Sequence, residues 1–226
     1  MKINKVLNIL LISVLSISAW EIGKKQVGYV ESRITYQNIK KEKEQYDNMQ
    51  EYLDNKQYDW ITLSETAINY PLVKSADNQY YLTHNYLGEE SISGSIYYDA
   101  TDEPYNGSTT IIYGHSMKDG SMFNNLHYFQ KDKERFKNST LTIDTKEGTK
   151  VYIPIGYAVY TSDNNFYRQI DNMNSKEGMQ ILEQECDYFI KDNINIENVH
   201  VIALVTCDYS IDNGRLVCFY IESSSK

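Results

Sequence analysis

Apolar and polar residues fall in blocks along this chain, and the block lengths change near position 60. Val6 to Trp20 is free of charge, with Lys2 and Lys5 before it and Lys24 and Lys25 after it. Counted from Ile3 to Ile22, the run reaches the roughly 20 residues that a helix needs to cross a bilayer, and Trp20 stands where an interfacial aromatic belongs. From Tyr36 to Tyr58 charged residues dominate, yet Ile39, Tyr46, Met49 and Leu53 recur at steps of seven, three and four, which predicts an amphipathic helix. Beyond Trp60 the apolar runs shorten to strand length: Ile68 to Val73, Tyr80 to Leu82, Gly94 to Tyr98, Thr109 to Tyr113, Leu141 to Ile143, Val151 to Thr161, Val199 to Thr206 and Leu216 to Ile221. Eight such runs, separated by Asn, Asp and Gly turns, predict a mainly β fold, either a closed barrel or a sandwich. Two helices interrupt them. One runs from Ser121 to about Lys133 with Met122, Leu126 and Phe129 on one side; the other runs from Ser175 to about Asp192 with Met179, Leu182, Cys186, Phe189 and Ile190.

At 226 residues the chain suits one compact domain with appendages. The first appendage reads as a retained membrane anchor; a cleaved signal peptide is the rival, with Ile17-Ser18-Ala19 as a poor cleavage site because Ile17 is bulky. Either reading exports the domain. A net charge of −9, with no basic stripe to neutralise phosphates, argues against a nucleic-acid partner. Three cysteines, Cys186, Cys207 and Cys218, leave at least one thiol free or paired between molecules. No CxxC or HExxH spacing occurs, so neither a metal nor another cofactor is expected.

Three polar groups stand at the ends of apolar runs. Cys207 ends the run from Val199, Arg215 opens the next one, and His115 ends the run from Thr109. A cysteine after a β-branched run is, by itself, more often a small buried hydrophobe than a nucleophile. His115 changes that balance, because Gly114-His115-Ser116-Met117-Lys118-Asp119-Gly120 puts the imidazole at the lip of a polar loop and not on an apolar face. Thiol, imidazole and guanidinium at strand ends suit a cysteine nucleophile, a histidine acid/base and an arginine that stabilises negative charge. Cys186 and Cys218 fall inside apolar stripes and read as packing. His84, His127 and His200 have no such company and read as surface or packing residues.

Leu204-Val205-Thr206-Cys207 followed by Arg215, with Tyr113-Gly114-His115 upstream in an exported β domain, resembles the sortases, the membrane-anchored cysteine transpeptidases of Gram-positive cell surfaces. The segment from Gly114 to Phe123 and the helix before the cysteine strand resemble class B in particular. One departure is Ala203, where the family usually has threonine; it is expected to alter packing alone. The resemblance implies a closed eight-stranded β-barrel with N-terminal helices and a long helix inserted before the cysteine strand. It divides the chain into an anchor at 1–25, a helical lead-in at 26–59 and a catalytic barrel at 60–226. It assigns catalysis to Cys207, His115 and Arg215, and substrate binding to Asn78, Leu82, Ser162, Phe166, Tyr167, Thr206 and Asp208. It further implies cleavage of a sorting signal after threonine, transfer to a cell-wall peptide amine, surface proteins as cargo, and a membrane location with the catalytic domain outside. An exported cysteine peptidase and a non-catalytic surface-binding barrel are the alternatives.

Overall fold

A computed structural model of the chain describes residues 2–101, 104–105, 109–164, 167, 175–190 and 200–223, with side chains from residue 7 onward. The first helix, α1 (Lys2–Lys43), is continuous. Among the described residues it is the one helix long and apolar enough to cross a membrane. Its later turns lie against the body of the protein: Ser32, Tyr36 and Ile39 are buried, and the Tyr36 hydroxyl donates to the Gly94 carbonyl at 2.6 Å. The expected lead-in helix is divided in two. α1 stops at Lys43, and Asn48 starts the short α2 (Met49–Leu53) by accepting from the backbone N–H groups of Gln50 and Glu51.

Strands β1 (Tyr58–Leu63), β2 (Asn69–Lys74), β3 (Ile96–Tyr98), β4 (Thr109–Tyr113), β5 (Leu141–Thr145), β6 (Gly148–Thr161), β7 (Tyr188–Phe189), β8 (Val201–Asp208) and β9 (Gly214–Glu222) form one sheet. The spatial order β5-β1-β2-β3-β4-β8-β9-β6 closes when β6 pairs back onto β5, giving an eight-stranded barrel. The short β7 adds to β6 outside that closed ring. Three short helical segments cross between β4 and β5: a 3-10 turn at Phe123–Leu126, α3 (His127–Lys131) and α4 (Lys133–Lys137). They replace the single helix expected from Ser121, and Phe123, Leu126, Phe129 and Phe136 are fully buried beneath them. Each such side chain contributes about 2 kcal/mol by leaving water.

Alternation sorts the strand residues into two clusters. Ile112, Ile202, Leu204, Leu216, Cys218 and Tyr220 face the barrel interior. Ile111, Val201, Ala203, Val205, Val217 and Phe219 face outward and are covered by Met179 and Leu182 of α5 (Lys176–Glu185). β6 changes sides part-way. A bulge between Pro154 and Gly156 shifts its register, so Tyr152 and Tyr157 both belong to the interior cluster whereas Ala158 and Tyr160 belong to the outer one.

Three further expectations about elements differ from the structure. Tyr80–Leu82 is a 3-10 turn instead of a strand, because the Asp77 carboxylate accepts from the N–H groups of Gln79 and Tyr80 and starts a turn there. β1 supplies the missing eighth barrel strand. The helix before the cysteine strand ends at Glu185, short of Asp192, as Cys186 turns extended. Cys186 and Tyr188 instead press on Gly156, where an added Cβ would lie 2.8 Å from the Tyr188 carbonyl oxygen and 3.0 Å from the Cys186 sulfur.

Candidate active site

The pairing of β8 with β9 sets Cys207 directly opposite Arg215. Facing residues of an antiparallel pair project to the same side with Cβ atoms about 5 Å apart. That side is the outer one, since Cys207 is in step with Ala203 and Val205 and Arg215 with Val217 and Phe219. The connection between the strands is tight: Asn213 adopts a positive φ of 54°, and a Cβ on Gly214 would come within 2.6 Å of the Asp208 carbonyl oxygen. Arg215 donates from Nη1 to the Gly214 carbonyl at 2.8 Å. Among the described residues it pairs with no carboxylate.

β4 lies parallel to β8 on the other side, and it delivers His115. The Gly114 N–H donates to the Val205 carbonyl at 3.1 Å, and the Thr206 hydroxyl donates to the Gly114 carbonyl at 2.7 Å. The residue before the histidine is thus joined to the residue before the cysteine. His115 Nε2 lies 2.8 Å from the Leu82 carbonyl oxygen. A carbonyl only accepts, so Nε2 carries a proton, and Nδ1 is left as the ring nitrogen able to gain or release a second one.

Cys207, His115 and Arg215 all line a cleft of about 430 Å³. Asn78, Leu82, Ser162, Tyr167 and Thr206 line it as well; Phe166 lies outside the described residues. The bulge in β6 brings Ser162 to this side, two positions on from the outward-facing Tyr160. Asn78 is held by donating to the buried Asp99 carboxylate at 3.2 Å while its own carbonyl accepts from the Ala100 N–H at 2.8 Å. Burial works to raise the Asp99 carboxyl, but hydrogen bonds from Thr101, Tyr113 and Asn78 outweigh it and hold the group below the usual carboxylate range.

Asp208 is not among the residues of the cleft wall. Alternation turns its side chain away from Cys207 and toward α3, where Gln130 donates to it at 3.2 Å and Ser210 donates through its N–H and hydroxyl. Burial alone would raise this carboxyl; the Ser210 and Gln130 donors and the His127 ring hold it below the ordinary range. Two wall residues, Tyr97 and Tyr113, were not expected from the sequence. They are paired in register between β3 and β4, and Tyr113 precedes His115 by two positions on one side of its strand, an alternation that could have pointed to it.

The other thiols have different surroundings. Cys218 is fully buried, and burial pushes it well above the ordinary thiol range; Cys186 is pushed up to about 12 for the same reason. Cys207 is partly exposed at the cleft wall.

A family model for the sortase domain matches residues 61–220 of this chain. The chain belongs to the sortase family of cysteine transpeptidases. It is 36% identical over 168 residues to sortase B of Listeria monocytogenes, a match spanning 70% of this chain and 66% of that protein. With sortase B of Staphylococcus aureus the identity is 25% over 229 residues, covering 94% of this chain and 93% of the relative. A solved sortase B structure from B. anthracis is 28% identical and superimposes with a TM-score of 0.71 over 88% of this chain and 98% of that one. The sortase barrel and the class B likeness are therefore present both in sequence and in fold.

Proposed function

We propose that this sortase cleaves the C-terminal sorting signal of a surface protein after a threonine and joins the new acyl end to an amino group of a cell-wall peptide. The observation that carries the reading is the convergence of Cys207, His115 and Arg215 on one cleft. The Cys207 thiol passes its proton to His115 as its sulfur attacks the carbonyl carbon on the acyl side of the scissile bond. Arg215 donates to the oxygen as negative charge builds on it; losing such a donor typically costs about 3 kcal/mol of barrier. The C–N bond then breaks, a thioester remains on Cys207, and His115 supplies the proton that the departing amine needs. An incoming amine attacks the thioester and gives up a proton to His115, the C–S bond breaks as the acyl group leaves in a new amide, and His115 returns the proton to the Cys207 sulfur to restore the thiol. Leu82 has two parts in this scheme, a side chain on the cleft wall and a carbonyl that fixes the His115 ring. The described apolar helix supports a membrane anchor with the barrel outside the cell.

The test is to incubate the detergent-solubilised chain with sorting-type pentapeptides varied at each position, with and without an amine acceptor, using Cys207→Ala as the control. The expected products are a cleaved peptide and, with acceptor present, a ligated one. Cleavage without ligation under every acceptor would assign a hydrolytic peptidase, and no cleavage of any peptide would leave a binding barrel.

A further inference from the structure

The residues before the cysteine and before the histidine are joined directly, through the Thr206 hydroxyl and the Gly114 carbonyl. The residues after them, Asp208 and Ser116, are joined as well, but through a third side chain. His127, at the start of α3, places Nε2 3.1 Å from the Ser116 hydroxyl and Nδ1 3.5 Å from the Asp208 carboxylate. Nδ1 also lies 3.0 Å from the Gln130 carbonyl oxygen, and Gln130 in turn donates to the same Asp208 oxygen at 3.2 Å. Asn124 donates to Ser116 at 3.1 Å.

Donors and acceptors in this group match for one arrangement. Gln130 Oε1 and the carboxylate only accept, so Nδ1 carries the hydrogen. Ser116, which accepts from Asn124, then spends its own hydrogen on bare Nε2. Ser116 and Asp208 are both buried. We propose that His127 is a positioning residue for the sortase reaction, one that fixes the separation of Cys207 and His115 by bracing the residues that follow each of them. It is not among the residues that line the cleft. The inference rests on Cys207 and His115 being the reacting pair, and it adds a residue that the surrounding chemistry had left as packing.

A ring that braces two reacting groups affects the chemical step more than the affinity, since a misplacement of about 1 Å can cost about 100-fold in rate. In the full chain, His127→Phe keeps a ring of similar size without hydrogen bonds and is expected to lower kcat by about 10-fold to 100-fold while KM stays within about twofold. His127→Gln, which offers an acceptor to Ser116 and donors toward Asp208, is expected to regain most of that loss. The double variant Ser116→Ala with His127→Phe should be no slower than the worse single one, because both break the same brace. Should His127→Phe fail to fold, the glutamine and Ser116→Ala variants carry the same test, with kcat falling in the second and holding in the first. Normal kcat in folded His127→Phe, equal losses in the Phe and Gln variants, or additive losses in the double variant would overturn the proposal. The Cys207→Ala control separates the two levels: turnover surviving there removes the cysteine mechanism itself, whereas a dead Cys207→Ala beside a normal His127→Phe removes only the brace.

Discussion

Replacing His200 with glutamine should abolish most of one step in the acid sensitivity of this fold. The imidazole is buried just before β8, with Nε2 3.0 Å from the Thr110 hydroxyl and Nδ1 3.2 Å from the Tyr152 hydroxyl. Burial, with a smaller push from Lys150, pulls its pKa down to about 4. In the unfolded chain a histidine titrates near about 6.5. Between those values the unfolded chain binds one more proton than the folded one, so stability present above the upper value is lost as pH falls and stops falling below the lower one. A gap of about 2.5 units at 1.36 kcal/mol each makes the whole step about 3 kcal/mol. Glutamine keeps a donor and an acceptor for the two hydroxyls but cannot take the proton. Urea unfolding of both proteins, followed by the fluorescence of buried Trp60, should show wild type losing about 3 kcal/mol more than His200→Gln between about pH 7 and about pH 4. Carboxylates such as Asp99 and Asp208 titrate in both proteins and cancel in the difference. Parallel stability curves across that interval would refute the reasoning.

Arg215→Lys keeps the charge opposite Cys207 but loses the planar fork, and turnover is expected to fall by about 100-fold, the cost of about 3 kcal/mol of oxyanion stabilisation. Near-normal turnover, with an unchanged pH dependence of Cys207 alkylation, would instead make the guanidinium a simple positive charge. Cys218→Ala and Cys186→Ala should retain turnover, with the fully buried Cys218 site losing about 1 kcal/mol of stability in chemical unfolding. A folded but inactive Cys186→Ala would mean that Cys207 is not the sole nucleophile.

The parts of this protein that could be read in its sequence are those where one strong local signal decides the outcome. The run into Cys207, the turn before Arg215 and the loop after His115 each join an apolar strand to polar turn residues, and β4, β8 and β9 lie where those signals put them. Other elements depend on neighbours distant in sequence. β1 carries Trp60 and Ile61 side by side, both buried, because Trp60 meets Tyr52 of α2 at 5.9 Å between ring centroids while Ile61 joins the same core; burial of adjacent residues erases the alternation that marks a strand. Tyr80-Tyr81-Leu82 has strand-forming side chains, yet the Asp77 carboxylate determines the backbone there. The stripe through Met179, Leu182 and Cys186 continues at helical spacing to Phe189 and Ile190, but Phe189 is placed by pairing with Gly156 of β6 and Ile190 by its N–H donating to the Ile155 carbonyl.

The candidate site divides along the same line. Cys207 and Arg215 face each other through a hairpin, a relation nearly local in sequence, and it is visible from their spacing. His115 and Leu82 are 33 residues apart and His127 and Asp208 are 81 apart, so their contacts exist only because the barrel closes. The bulge at Pro154 and Gly156 is the clearest case. A one-residue change of phase there carries Ser162 to the cleft side. The tyrosines of β6 do not record that shift, since Tyr152 before it and Tyr157 after it both face the interior while Tyr160 faces outward. A chain with 21 tyrosines is well suited to hiding such a change, because a tyrosine can bury its ring in either cluster and still hydrogen-bond its hydroxyl at the edge.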